Sequence, residues 1–141
     1  MIEQMLLSDL LPVMQEVLET GGEFTFCPSG RSMRPMLNGD CTVTLRKAEG
    51  RLKRLDLPLY RTGDGQFVLH RVVKVLPDSY VMLGDSNLLR EEGITDGQIV
   101  GVVCAFSRGG KKHTTAEPLY RLYCRVWTAL PLLRRLLPRA K

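Results

Sequence analysis

Between residues 23 and 107 the chain is cut into short apolar segments by closely spaced turn residues, and this constrains the fold more than any other feature. Glu23 to Cys27 and Cys41 to Leu45 alternate polar and apolar, as half-buried strands do. Asn38-Gly39-Asp40 supplies a turn between them. Leu57 to Arg61 is a further short strand, which Pro58 places at a start or an edge. Gly63-Asp64-Gly65 turns into Phe67 to Val75, the strongest strand signal in the chain. Pro77-Asp78-Ser79 then turns into Tyr80 to Leu83, and Ile99 to Phe106 is a last apolar strand. Strands this close together, without long helices between them, predict a mostly β fold, a compact barrel or sandwich.

An amphipathic helix is expected on each side of this core. Over residues 2–19, Leu6, Leu10, Met14 and Val17 recur at helical spacing with acids opposite. Pro12 allows a break or kink, and Gly21-Gly22 supplies the stop. After a polar linker at 107–117, Pro118 suits the start of a second helix over 118–137, kinked at Pro131. At 100° per residue, Arg121, Arg125, Thr128, Arg135 and Arg139 share an arc of roughly 80°. Leu119, Leu122, Val126, Trp127 and Leu130 lie on a broad apolar remainder. In domain terms, 1–110 forms the core with its N-terminal helix, 111–117 the linker, and 118–141 a basic amphipathic helix.

Charge follows the same division. The 141 residues carry a net +5. Residues 111–141 hold eight basic groups against Glu117, or +7, which leaves the first 110 with 12 basic and 14 acidic groups, or −2. A basic helix of this kind meets a membrane interface, packs on its own core, or packs on a second copy of the chain. Basic residues and aromatics are not interleaved on the strands, so no specific nucleic-acid partner is expected. Cys27, Cys41, Cys104 and Cys124 form no CxxC pair and there are two histidines, so neither a zinc site nor any cofactor is expected. The first Lys or Arg is Arg31, and no stretch has the 18 or so uninterrupted apolar residues of a spanning helix. These features predict a cytoplasmic chain with reduced thiols, peripheral on the inner face of the membrane if the tail binds lipid.

Three stretches carry the chemistry. The first is Gly30-Arg31-Ser32-Met33-Arg34-Pro35-Met36-Leu37 with Gly39-Asp40. A serine hydroxyl is a poor nucleophile until a base takes its proton, and a Gly/Pro-rich loop fixes it at a cleft. The second is Phe67-Val68-Leu69-His70-Arg71-Val72, which places a histidine 38 residues after Ser32 in an otherwise apolar strand. The third is Leu83-Gly84-Asp85-Ser86-Asn87. In this order the three resemble the nucleophile, base and GDxN boxes of the serine peptidase superfamily of type I signal peptidases and LexA-like proteins, over about residues 24–106. The His-Arg pair resembles the endoplasmic-reticulum and archaeal branch, where bacterial enzymes have Lys-Arg.

That resemblance implies a serine endopeptidase with Ser32 as nucleophile and His70 as general base. Asp85 either orients the imidazole or tightens its turn, and Glu91, with Glu92 and Asp96 nearby, is the competing third member. Gly30, Met33 and Pro35 are implied in the oxyanion and substrate-binding region. Gly30 stands where many signal peptidases have a second serine. Lys74, the fallback base, lies about 13 Å beyond His70 at roughly 3.3 Å per residue. A protein or leader-like peptide is the implied substrate. The rival reading is an inactive β-barrel that keeps the fold for docking to a protein or membrane.

Overall fold

The computed structural model describes residues 2–28, 33, 36–37 and 41–129, with the backbone alone at 2–5. Helix α1 runs over Ile2–Glu19. Its end is written in the sequence: Gly21 takes φ +85°, and its N–H donates to Leu18 O at 3.1 Å while Gly22 N–H donates to Val17 O at 2.9 Å. This pair of bonds is a Schellman cap, and it needs a residue without Cβ at the left-handed position. The helix continues through Pro12. The carbonyl freed there belongs to Ser8, an exposed residue whose surroundings let water take the missing donor's place.

Among the described residues nine antiparallel strands follow: β1 Phe24–Phe26, β2 Thr42–Arg46, β3 Pro58–Arg61, β4 Phe67–Leu69, β5 Arg71–Val75, β6 Tyr80–Leu83, β7 Glu91–Ile94, β8 Ile99–Arg108 and β9 Lys111–Thr114. Among the described residues they form two sheets and no closed barrel. The larger runs β1-β2-β8-β3-β4, and β9 also pairs with β8; the smaller is β5-β6-β7. Strand β8 organises the larger sheet, pairing with β2 along 102–107, with β3 along 99–102 and with β9 along 105–108.

Alternation along β3 and β8 shows how the layers stack. Leu59 and Val103 face one cluster with Leu7, Met14 and Leu18 of α1 and with Met33, Met36 and Leu37. Tyr60 and Val102 face the opposite cluster, with Val72, Tyr80, Met82 and Ile94 of the smaller sheet. The middle of the larger sheet, at β3 and β8, is thus covered on both faces, which explains the near-continuous apolar run of β8. At Gly101 a Cβ would come within 3.1 Å of both Arg46 O and Leu18 Cδ1. Glycine therefore lets α1 approach the sheet closely.

The structure corrects the expected strand over Phe67 to Val75. It is divided at His70, with β4 in the larger sheet and β5 in the smaller. It also corrects the expected linker at 111–117: Gly109 and Gly110 take φ +55° and +79° and close a hairpin that returns β9 along β8. Two consecutive residues with positive φ fit the twist of a two-residue hairpin turn, for which Gly-Gly is well suited. Helix α2 begins at Pro118 as expected and is described to Ala129. The expected continuation to 137 and the kink at Pro131 lie outside the described residues. Its buried side is aromatic and joins the core through Tyr120 and Tyr123, so this part of the helix belongs to the same domain.

Candidate functional site

His70 occupies the one-residue joint between the sheets, half-buried. Tyr60, beside it on β3, and Glu91, opening β7, converge on it. Glu91 Oε1 lies 2.5 Å from His70 Nδ1 and accepts the Tyr60 hydroxyl at 2.6 Å. The Glu91 carboxyl is held below its ordinary value near 4.5, first by the hydrogen bond with His70 and then, against burial, by that from Tyr60. Burial and the same carboxylate push the Tyr60 hydroxyl far up, so it stays a donor. A carboxylate at Nδ1 favours the tautomer protonated there and leaves the Nε2 lone pair available as a base. Asn87 Nδ2 lies 3.5 Å from Nε2, at the outer edge of hydrogen bonding.

Asp85 is placed differently. Its carboxylate pairs with Arg71, Nε to Oδ1 at 2.8 Å and Nη2 to Oδ2 at 2.9 Å. Tyr123 donates to Oδ2 at 2.7 Å, and Trp127 Nε1 donates to the Asp85 carbonyl at 2.6 Å. Arg71 and Asp85 are both 0% exposed. Arg71 Nη1 further meets Leu55 O, the Tyr120 hydroxyl and Cys124 Sγ at 3.1, 2.9 and 3.0 Å. Burial opposes the guanidinium charge most strongly, yet Asp85, together with Tyr120 and Cys124, outweighs it and holds Arg71 protonated. The expectation that Asp85 orients the imidazole is therefore corrected. Geometry gives that position to Glu91, while Asp85 neutralises a buried cation and ties α2 to the core. The reason is register. Pairing of Arg71 with Leu83 brings the turn after β6 back onto the arginine, and pairing of Met82 with Glu91 carries β7 past the histidine.

Ser32, Gly30 and Pro35 lie outside the described residues, as does Ser29. The described residues after Ser32 are informative. Met33 and Met36 are 5% and 1% exposed, and Leu37 N–H donates to Met33 O at 3.0 Å. Met36 Sδ accepts from Arg71 Nη2 at 3.2 Å, and Met33 Sδ accepts from Asp85 N–H at 3.4 Å. The Met33 side chain is thus an anchor in the core. All three sequence boxes meet at this cluster: the first through Met33 and Met36, the second through Arg71, the third through Asp85.

Lys74 is exposed on β5 and Glu92 is exposed on β7. Asp96 is taken by Tyr80 and Arg51. Sequence reasoning missed Tyr60, whose signal is only that of an apolar strand residue; it placed aromatics on the apolar side of α2 but not that they enclose Arg71 and Asp85. Among the described residues no group of His, Cys, Asp and Glu is arranged to hold a metal ion. Comparison with family models, with curated proteins and with solved structures finds no significant match for this chain.

Proposed function

We propose that this chain is a serine endopeptidase with Ser32 as nucleophile, His70 as general base and Glu91 as the carboxylate that positions the base, on a core like that of the signal-peptidase and LexA-like enzymes. The observation that carries this reading is the meeting of the three boxes. Met33 and Met36, which follow Ser32, are held by the backbone of Asp85 and by Arg71, the residue after His70, while Nδ1 of His70 is engaged by a carboxylate.

In the proposed reaction, Ser32 Oγ attacks the scissile carbonyl as His70 Nε2 takes its proton. The Ser32 backbone N–H is a natural donor to the resulting oxyanion. The imidazolium, stabilised by Glu91, passes the proton to the leaving amine, and the acyl-enzyme is then hydrolysed by water activated at the same Nε2. No metal or cofactor is required for these steps. A precursor or leader-like peptide is the proposed substrate class.

The direct test is labelling by an acyl-transfer probe followed by intact mass, in wild type, Ser32→Ala and His70→Ala. One adduct in wild type and none in either variant supports the pair. An equal adduct in Ser32→Ala refutes the assigned nucleophile.

A further inference from the structure

Helix α2 forms one wall of a cleft of about 420 Å³ whose other walls come from residues 53–57 and from β2 and β8. Five cationic side chains line it: Arg46, Lys53, Arg54, Arg121 and Arg125. The one acid in the lining, Asp56, has its Oδ2 engaged by the Lys53 backbone N–H at 2.8 Å. None of the five cations has a carboxylate partner among the described residues. Such a concentration of like charge costs self-repulsion and is relieved by a bound anion.

A second observation narrows the anion. On the same helix, between the arginines and the buried aromatic face, Leu119, Leu122 and Val126 are 80%, 57% and 42% exposed. At 100° per residue they fall within an arc of about 60°, whose Leu122 edge is about 60° from Arg125 and about 100° from Arg121. A peptide partner would require a concave groove for its anchors. Here the apolar groups stand out as a ridge on the exposed side of α2, across Arg125 from the cationic cleft, an arrangement that suits insertion at a lipid interface with cations on the flank. Single-stranded nucleic acid is disfavoured because Tyr120, Tyr123 and Trp127, which could stack on bases, face Arg71 and Asp85.

We infer that this surface docks on an anionic phospholipid bilayer, with a phosphate headgroup in the basic cleft and the Leu119–Leu122–Val126 ridge in the acyl boundary. The floor of the cleft includes Leu55, Tyr120 and Cys124, all of which receive Arg71 Nη1. Docking would therefore occur one residue away from His70 in the chain, whether or not Ser32 is a nucleophile.

The test is co-sedimentation of the full chain with vesicles of phosphatidylcholine alone and with added phosphatidylglycerol, with thermal melts confirming that each variant folds. Wild type should pellet only with the anionic vesicles. Arg121→Gln/Arg125→Gln should lower the partition coefficient about thirty-fold, from two cations at about 1 kcal/mol each. Lys53→Gln/Arg54→Gln, on the opposite wall, gives the same reading without altering the helix. Leu119→Ser/Leu122→Ser should also release the protein, whereas Lys111→Gln/Lys112→Gln, basic but outside the cleft, should not. Failure to pellet refutes the inference, as does equal loss in the Lys111/Lys112 control. Displacement by free sn-glycerol 3-phosphate combined with unimpaired binding by the leucine variant would assign the cleft to a soluble phosphate. Preferential binding of an acidic peptide would assign it to a protein. Either result overturns the lipid reading.

Discussion

Replacing Asp85 by Asn tests the assignment of the two carboxylates, because the structure gives Asp85 a large structural role. The substitution keeps shape and leaves the Arg71 guanidinium, 0% exposed, without the carboxylate that meets it through two bonds of 2.8 and 2.9 Å. Removing one member of a buried pair costs about 3–5 kcal/mol, since the remaining charge stays desolvated. For a chain of this length, unfolding entropy of about 2.1 cal/mol/K per residue makes each kcal/mol worth roughly 3 °C, so Tm should fall by about 10–15 °C. Urea denaturation of wild type, Asp85→Asn, Arg71→Met and the double variant closes a thermodynamic cycle. The double variant should be far more stable than the sum of the single losses implies, because no unpaired charge is left in the core. A loss below about 1 kcal/mol in Asp85→Asn, or additive losses in the double variant, would refute a buried pair of this strength. Activity per folded molecule of Asp85→Asn, measured well below its Tm, should stay close to wild type.

Glu91→Gln should do the opposite, lowering turnover by about a hundredfold, within the range attributed to general-base catalysis, with a small change in Tm; peptidase kinetics alongside melts check this. The Glu91 carboxyl is depressed in the folded state, so its contribution is fully present above its ordinary value near 4.5 and is lost as pH falls through the lower folded value. The difference in Tm between wild type and Glu91→Gln should therefore shrink below that pH. Gly101→Ala should cost about 1–3 kcal/mol in urea denaturation, because the new Cβ meets Arg46 O and Leu18 Cδ1 at 3.1 Å. Gly21→Ala should cost about 1–2 kcal/mol by the same measurement, because φ is +85° at the α1 cap.

Where structure is local, the chain states it directly. The existence and end of helix α1 follow from periodicity and from Gly21-Gly22, since a Schellman cap is satisfied within six residues. The buried face does not, because the core takes Leu7, Met14 and Leu18 and leaves the expected Leu6 and Leu10 exposed. Strands β2, β3, β6 and β8 follow from apolar alternation or runs bounded by turns. The β8–β9 hairpin was not legible: its turn is Gly109-Gly110, but the polar Lys111–Thr114 gives no strand signal and passes for a linker. Nor was strand β7: Glu91-Glu92-Gly93-Ile94 has poor strand propensity and is held by pairing with β6.

Tertiary structure alone decided which carboxylate serves which cation. Asp85 and Glu91 are both acids after turns on the same side of His70-Arg71, and neither composition nor spacing separates them. Register does so, because a strand's side chains alternate between faces and a shift of one residue would reverse every assignment. The pairing that set Arg71 against Leu83 and Glu91 against Met82 put one acid on the buried arginine and the other on the histidine. The break at His70 has the same origin. Phe67 to Val75 reads as one strand because its residues favour extended backbone throughout, and only competition between the two sheets for its halves makes His70 a joint.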